Sequence, residues 1–264
     1  GRGPPRLPPA PGDGAETPRR GGGPGAAGVN FKWFGTNGWE ITFGNKTILI
    51  DPWFNRFESG FLQNKLKMDA TLPTDTALID QHVKTADQIL IGHGHWDHMA
   101  DVPYIAKKSG AMVIGSESHA NLMRAAGVAE GKIVQVKGGE YMQFDGYTIE
   151  VFPSVHSMGG TKKYAVPGHL VSVPSSAPTK IGDLPEGDTL IYVLTIGGKF
   201  TVFSMSSGDY VERAIVNQVH DEFEYWQQTS SRQATDGSPW EMHLVDDDHT
   251  GDAAAYGRRL LQQD

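Results

Sequence analysis

Residues 91–98 read IGHGHWDH and form the most informative segment of this 264-residue chain. Three histidines and an aspartate fall within six residues, directly after an apolar run. A strand that ends in a glycine-rich turn directs alternate side chains toward one point, so His93 and His95 share a face, with Asp97 and His98 just beyond. Neutral imidazoles suit borderline metals such as Zn²⁺, and a carboxylate compensates charge. The segment therefore predicts a metal site, because a solvated histidine-rich loop usually lacks the embedded aspartate and the preceding strand.

Around this segment, short β-rich runs alternate with turn signals and with two helices. Helices are predicted over 101–108 and over 118–126, the second with Ser118 as a possible N-cap and Gly127 as a C-terminal stop. Glycine-containing connections at 44–46 and 197–199 predict two hairpins. The predicted strands are 40–43, 47–51, 88–92, 112–115, 133–136, 148–152, 190–196 and 200–205. This alternation indicates a mixed α/β fold, with the metal motif in the first strand-to-helix connection.

Composition excludes several classes of function. The chain contains no cysteine, which excludes disulfides, thiolate zinc sites and a cysteine nucleophile. A formal net charge of −8 argues against a broad nucleic-acid surface. No apolar stretch approaches the roughly 20 residues that span a bilayer. We therefore expect a small-molecule substrate, no nucleic-acid partner and no membrane span; composition leaves the oligomeric state open.

Residues 1–28 contain mostly Gly, Pro, Ala and Arg, with one Leu as the only large apolar side chain. Such a segment cannot offset its ordering entropy by burial, so a disordered arm is predicted, followed by one catalytic domain over 29–264. Linkers of this kind often follow an export signal, which favours a secreted or cell-envelope protein. A merely flexible terminus fits the same composition equally well.

Further residues extend the pattern well beyond the metal motif. Residues 31–52 read FKWFGTNGWEITFGNKTILIDP and end in the pair Asp51-Pro52. A single histidine, His156, follows one predicted strand, and Asp209 follows another within the run SGD. Together with the H-x-H-x-D-H motif, these features resemble the metallo-β-lactamase superfamily, particularly its branch related to ascorbate-6-phosphate lactonase. The resemblance extends through about residue 210, and the part from about 211 is atypical.

The resemblance implies an αββα sandwich, two mixed sheets with helices outside. It assigns His93, His95 and His156 to one metal. Asp97 and His98 are assigned to a second, with Asp209 bridging the two. The expected cofactor is therefore a pair of Zn²⁺ ions, with Mn²⁺ or Fe²⁺ as alternatives. Such a pair holds a bridging hydroxide that attacks the substrate, and Asp97 and Asp209 are the expected catalytic carboxylates.

The family pattern also ends in a histidine after a further strand, for which the chain offers His220, His243 and His249. His220 follows Asp209 too closely for an intervening strand and helix. His249 lies in an acidic run without an apolar lead-in. His243, which is preceded by Trp240 and Met242, is therefore the predicted sixth ligand.

Asp209 also bears on the substrate, because β-lactamases of the superfamily generally lack this bridging carboxylate, whereas its lactonases, thioesterases and phosphodiesterases have it. The sequence thus favours a metal-dependent hydrolase of small esters, lactones or phosphoesters. A β-lactam-hydrolysing enzyme and a non-catalytic metal- or partner-binding protein on the same fold are the alternatives.

Several residues other than the predicted ligands also have predicted roles. Asp51 is predicted to orient the metal loop through hydrogen bonds, and Trp96 is predicted to pack beside the site. His169 is expected to be a surface residue in the loop 166–185, which is proposed as one rim of a groove. The loop 54–83 would form the other rim, where three apolar residues either supply an apolar wall for substrate or anchor the loop to the core: Phe57, Phe61 and Leu62.

Overall fold

The computed structural model describes residues 28–157, 165–207 and 241–244. Four α-helices lie in this part of the chain: α1 (Thr76–His82), α2 (Trp96–Met99), α3 (Val102–Ser109) and α4 (Glu117–Ala125). The strands are β1 (Val29–Gly35), β2 (Gly38–Phe43), β3 (Lys46–Ile50), β4 (Gln88–Leu90), β5 (Met112–Gly115), β6 (Ile133–Gln135), β7 (Tyr141–Phe144), β8 (Tyr147–Ser154), β9 (Thr189–Ile196), β10 (Phe200–Met205) and β11 (Glu241–Leu244).

The strands form two sheets. One has seven strands in the order β11-β1-β2-β3-β4-β5-β6, and the other has four in the order β10-β9-β8-β7. The run from β3 to β6 is parallel, and the remaining pairs are antiparallel. Strands β8 and β10 both pair antiparallel with β9, so they end at the same edge of their sheet. Predicted metal ligands follow β4 and β8, so they lie at the sheet edges where those two strands end.

The sheets pack face to face because successive side chains of the central strands point to opposite sides. Ile48 and Ile50 of β3 join the core between the two sheets, where they meet Ile149 and Tyr192 of the smaller sheet. Leu49, between them in sequence, lies in the core on the outer face instead. A strand buried on both faces reads as a continuous apolar run, which is why these strands were recognisable in the sequence.

All four helices contribute side chains to the core on the outer face of the seven-stranded sheet. Ile79 of α1, Met99 of α2, Ile105 of α3 and Leu122 of α4 are each at most 1% exposed there. The mixed α/β fold with two packed sheets is therefore confirmed.

The predicted strands and both hairpins are present, with shifts of a few residues at most at their ends. The sequence missed α1, which begins after Asp75, whose carboxylate accepts a hydrogen bond from the Leu78 amide. Ser118 was wrong as the N-cap of α4. Ser116 is the N-cap and forms a capping box with His119, a pair hidden by the use of His rather than Glu or Gln at the third helical position.

The two long loops are paired with each other at one point. Thr71 and Lys180 form an antiparallel bridge, and the amide of Leu72 donates to the carbonyl of Thr179 at 2.8 Å. Both loops also pack on the core of the outer face, for example through Ile181. The two loops therefore adjoin each other at this bridge.

No helix within the described residues has the length and apolar character needed to cross a membrane. The predicted arm lies almost wholly outside the described residues, as do Asp209, His220 and His249.

Candidate metal centre

The connection between β4 and α2 places the motif histidines. It begins with Gly92, whose carbonyl accepts a hydrogen bond from the Leu190 amide at 2.7 Å, while the amide of Gly94 donates to the Glu186 carbonyl at 2.7 Å. The segment before β9 therefore holds the turn in an extended path. His95 then serves as the N-cap residue of α2, so that Asp97 and His98 fall in the first turn of that helix.

Four histidines and an aspartate converge at this point. The candidate ligand atoms of His93, His95 and His156 lie within 4.8 Å of one another, and so do those of His93, Asp97 and His98. The ring centroids of His93 and His156 are 4.6 Å apart, although the two residues follow strands of different sheets. The structure thus brings together five of the seven predicted ligands.

Hydrogen bonds fix which nitrogen of His93 and of His98 faces the cluster. Nδ1 of His93 lies 3.0 Å from the Ser206 hydroxyl oxygen, and Nδ1 of His98 lies 2.9 Å from a carboxylate oxygen of Asp51. When Nδ1 carries the proton and donates to these oxygens, Nε2 keeps its lone pair for a metal. Both rings are therefore oriented as Nε2 ligands.

The other two imidazoles use main-chain carbonyls for the same purpose. Nε2 of His95 is 3.4 Å from the Val166 carbonyl oxygen, which leaves Nδ1 as the nitrogen available to a metal. Nδ1 of His156 is 2.8 Å from the Ser157 carbonyl oxygen, which leaves Nε2. Fixing the tautomer of each ring in this way is a regular property of metal-binding histidines.

Asp51 orients the metal-binding connection between β4 and α2 through hydrogen bonds, as the sequence predicted. Its carboxylate is fully buried and accepts hydrogen bonds from the Gly92 amide at 2.6 Å and from the Asn37 side-chain amide at 2.8 Å. Its third partner is His98, so one carboxylate orients both the turn and a ligand. Asp51 adopts a φ of 42°, a left-handed conformation that costs energy for most residues and that aspartate tolerates better than most.

The electrostatic environment keeps three of the imidazoles neutral near pH 7. Burial lowers the pKa of His93 well below its usual value, and the neighbouring imidazole of His98 lowers it further. Burial, followed by repulsion from His156, lowers the pKa of His95 to about 4. Burial also lowers the pKa of His156. Neutral imidazoles are the form that binds metals, so no proton has to be displaced from these rings.

His98 differs from the other three. Burial alone would lower its pKa, but the carboxylates of Asp97 and Asp51 outweigh that effect and raise it. Nε2 of His98 is 3.6 Å from the Asp97 carboxylate. In the absence of a cation, a proton on His98 offsets part of the negative charge of these two carboxylates, a role that a metal would take over.

The donor set fits a divalent metal of borderline softness. Imidazole nitrogens with one carboxylate suit Zn²⁺ and its neighbours in the first transition row, whereas Mg²⁺ and Ca²⁺ prefer oxygen-only ligand sets. His93, His95 and His98 are each at most 4% exposed. The cluster therefore has the chemistry and the dry surroundings of a metal centre.

The remaining histidine near the cluster has a structural role. His119 is fully buried, and its Nδ1 accepts a hydrogen bond from the Ser116 amide at 3.0 Å. Burial lowers its pKa to about 3. His169 contacts Glu117 and Asp188 and lies outside the candidate ligand groups, as expected of a surface residue.

Two residues that orient ligands had no recognisable signal in the sequence. Ser206 follows β10 and reaches His93, and Val166 contributes only its carbonyl to His95. A serine in a serine-rich turn and a main-chain carbonyl carry no local pattern. Trp96, in contrast, packs beside the site as predicted, with its ring centroid 5.9 Å from that of His95.

The main chain at His243, the predicted sixth ligand, lies in β11, and ligation by His243 stays a prediction. In β11, His243 lies opposite Asn30 of β1, at the edge of the seven-stranded sheet. Three strands lie between β11 and β4, so the two are four strand steps apart. At about 4.8 Å per step, their separation is roughly 19 Å. This pairing gives His243 no support as a ligand. Bridging by Asp209 stays a prediction.

The motif glycines are required by close packing, which gives a first testable expectation. A Cβ atom at Gly92 would overlap the side chain of Ser206 and crowd a carboxylate oxygen of Asp51. Gly92→Ala is expected to displace both and to destabilise the protein by about 1–3 kcal/mol. Metal affinity should fall about 10–100-fold, since both residues orient ligands. Thermal unfolding and metal titration measure the two effects.

Gly131→Ala is the matched control, because a Cβ atom at that position meets no other atom within 4 Å. If Gly92→Ala retained both the melting temperature and the metal affinity of the parent protein, the close packing described for this turn would be contradicted.

Comparison with known proteins identifies relatives of this arrangement. Residues 30–205, more than half of the chain, match the family model of the β-lactamase superfamily domain. A metal-dependent hydrolase of Pyrobaculum neutrophilum is 25% identical over 156 residues, which cover 59% of this chain and 61% of the relative. Another, of Staphylococcus aureus, is 30% identical over 126 residues, which cover 48% and 47%. The chain thus spans about half to three fifths of the length of these relatives.

Among solved structures, a metallo hydrolase from the archaeon Ignicoccus hospitalis is similar with a TM-score of 0.41 and 19% identity, over 67% of this chain and 60% of that one. The family match includes His93, His95, Asp97, His98 and His156, and it ends before Asp209.

Proposed function

The chain belongs to the metallo-β-lactamase superfamily, and on this premise we propose that it is a metal-dependent hydrolase of small esters, lactones or phosphoesters. The observation that carries the proposal is the convergence of four histidines and Asp97 in two overlapping groups. The curated relatives described above, which are named metal-dependent hydrolases, support the same reading.

We assign two divalent ions to the centre, with Zn²⁺ as the first choice and Mn²⁺ or Fe²⁺ as alternatives. When bound, such a pair supplies a bridging hydroxide at neutral pH and a Lewis acid for the carbonyl or phosphoryl oxygen. His93, His95 and His156 would hold the first ion, and Asp97 and His98 would hold the second.

The residues around the ligands do the remaining work. Asp51 and Ser206 fix the rings of His98 and His93, so the donor atoms are in place before any ion arrives. Trp96 is 3% exposed and excludes water from one side of the centre. Phe61 is 56% exposed, with its ring centroid 6.0 Å from that of Trp96, and offers an apolar face to a substrate.

Asp209 is proposed as the carboxylate that bridges the two ions. The chain just before it supports this role, because Ser206 contacts His93 and the hydroxyl of Ser207 accepts a hydrogen bond from the Ser157 amide at 2.8 Å. Asp209 follows Ser207 by two positions. A bridging carboxylate is also the feature that favours esters over β-lactams as substrates.

A substrate panel tests the proposal. The metal-loaded protein is expected to hydrolyse lactones and activated phosphodiesters, with β-lactams as poor substrates. Asp209→Asn should lower kcat at least about 100-fold and change KM little, because placement of the attacking group matters in the transition state. Steady-state kinetics on both proteins give the two parameters.

The parent protein stripped of metal by a chelator, and then reloaded, serves as the control for metal dependence. A penicillin or carbapenem turned over much faster than every ester would overturn the ranking of substrates. Absence of turnover on the whole panel by metal-loaded protein would argue for the non-catalytic alternative.

A further inference from the structure

Arg56 has an unusually constrained side chain for a residue that remains exposed to solvent. Its Nη2 donates a hydrogen bond to the carbonyl of Phe34. The guanidinium lies over the ring of Trp53, with Cζ 5.1 Å from the ring centroid. A cation over the face of an aromatic ring is attracted by the ring's quadrupole. The hydrogen bond and the stacking together define one orientation of the guanidinium.

Gly35 also lies against the guanidinium, and we call the arrangement of Phe34, Gly35 and Trp53 around Arg56 the clamp. A Cβ atom at Gly35 would overlap the guanidinium of Arg56, so the absence of a side chain there is what admits the arginine. Gly35 also has a φ of 91°, a conformation that other residues rarely adopt. The guanidinium is thus in close contact with both an aromatic ring and a glycine.

The charge of Arg56 has no ion-pair partner among the described residues. In that part of the chain, the other arginine, Arg124, forms an ion pair with Glu130, with Nη2 2.7 Å from a carboxylate oxygen. Arg56 instead experiences the more distant field of Asp97, which opposes the lowering of its pKa by burial. One hydrogen bond to a carbonyl leaves most of the five N–H donors of a guanidinium available to a ligand.

The clamp lies at the edge of the seven-stranded sheet where the metal motif follows β4. Phe34 and Gly35 end β1, which runs parallel to β3 because both pair antiparallel with β2. Strand β1 therefore ends at the same edge as β3 and β4, where Asp51 and the metal motif follow. Asp97, the group whose charge acts on Arg56, is one of the candidate metal ligands.

We propose that Arg56 is the specificity-determining residue of this centre, and that it binds an oxyanion group, carboxylate or phosphate, on the substrate hydrolysed there. This inference rests on the proposed function, which supplies the reaction, and it further specifies that the substrate is negatively charged. A fixed, planar guanidinium matches the two oxygens of such a group and forms paired hydrogen bonds. Arg56 is hydrogen-bonded to the end of β1, at the edge of the sheet where the metal motif follows β4, so the bound anion would lie on the same side of the fold as the scissile bond.

Matched substrates test this charge preference. A lactone that bears a free carboxylate is compared with its methyl amide and with an analogue that bears a phosphate, so that the scissile bond stays the same. Arg56→Gln should raise KM about 10–100-fold for the charged lactones, as expected for loss of hydrogen bonds between charged groups. Both kcat and the kinetics of the neutral amide should change less than about twofold. The larger KM effect identifies carboxylate or phosphate as the preferred group.

Two further variants separate recognition from structure. Arg124→Gln removes an arginine from α4 and should leave all three substrates unaffected. Arg56→Lys keeps the charge without the planar fork, so it should give a smaller increase in KM than Arg56→Gln. It also keeps the test decisive if the glutamine variant folds poorly. An equal loss of activity on charged and neutral lactones would show that Arg56 only supports the end of β1, and would overturn the proposal.

Binding provides a readout that does not depend on turnover. Calorimetric titration with the hydrolysed, ring-opened carboxylate product should give a dissociation constant about tenfold weaker for Arg56→Gln than for the parent protein. If the parent protein hydrolysed none of the lactones but bound the product through Arg56, the proposed reaction would fail while the anion site stood. Equal binding by parent and variant would remove the anion site even if hydrolysis were found.

Discussion

Replacing His95 with alanine is expected to remove most of the bound metal and to lower kcat/KM by a factor of about 10³. Its ring meets those of both His93 and His156, with centroid distances of 4.8 and 4.7 Å, so it completes the first group of ligands. Elemental analysis should find two metal ions per chain in the parent protein and a marked deficit in the variant.

The variant should stay folded. His95 is the N-cap residue of α2 but makes no side-chain capping bond, and it belongs to neither side of the sandwich core. The hydrogen bond lost to Val166 is long, at 3.4 Å, and its loss should cost about 1 kcal/mol or less. An unchanged circular dichroism spectrum would establish this.

His169→Ala is the control for His95→Ala, because it removes a histidine that lies outside the candidate ligand groups. We expect the metal content of this variant to equal that of the parent protein. A parent protein without stoichiometric transition metal would remove the basis for the metal centre altogether.

The second large effect is expected at Asp51. Alanine there leaves three buried donors without an acceptor: the Gly92 amide, the Asn37 side chain and His98. Leaving one member of a buried charged network unpaired typically costs about 3–5 kcal/mol. Loss of a residue that orients ligands lowers metal affinity about 10–100-fold. Chemical denaturation and metal titration measure these two quantities separately.

Asp101 provides a matched control, since it is another buried carboxylate that accepts hydrogen bonds from the amides of Phe54 and Asn55. Asp101→Ala should destabilise the protein to a similar extent without lowering its metal affinity. If Asp51→Ala bound metal as tightly as the parent protein, the assignment of Asp51 to ligand orientation would be wrong, whatever its effect on stability.

A short segment of the sequence was enough to recognise the family. The histidine motif is local: its members are at most five positions apart, so the geometry of one turn brings most of them together. Asp51 was also recognisable, because it directly follows a buried strand and directly precedes Pro52. The finer assignment to the branch related to ascorbate-6-phosphate lactonase stays a prediction.

The sequence by itself determined the central strands, because residues such as Ile48, Leu49 and Ile50 are buried on both faces and leave a continuous apolar run. It did not determine β7, whose residues alternate between exposed and half-buried and so leave no such run. It also missed α1, where only Ile79 is buried and the apolar period is therefore weak.

Only the tertiary structure decided how the ligands are held. Ser206 reaches His93 across 113 positions, and Val166 reaches His95 across 71. A hydroxyl and a carbonyl are common to many residues, so their roles come from where the two sheets and the covering loops place them. The pairing of β11 with β1 likewise comes from long-range packing, and it places the main chain of His243 opposite Asn30. Local patterns specify which side chains can bind a metal, whereas long-range packing specifies which of them meet.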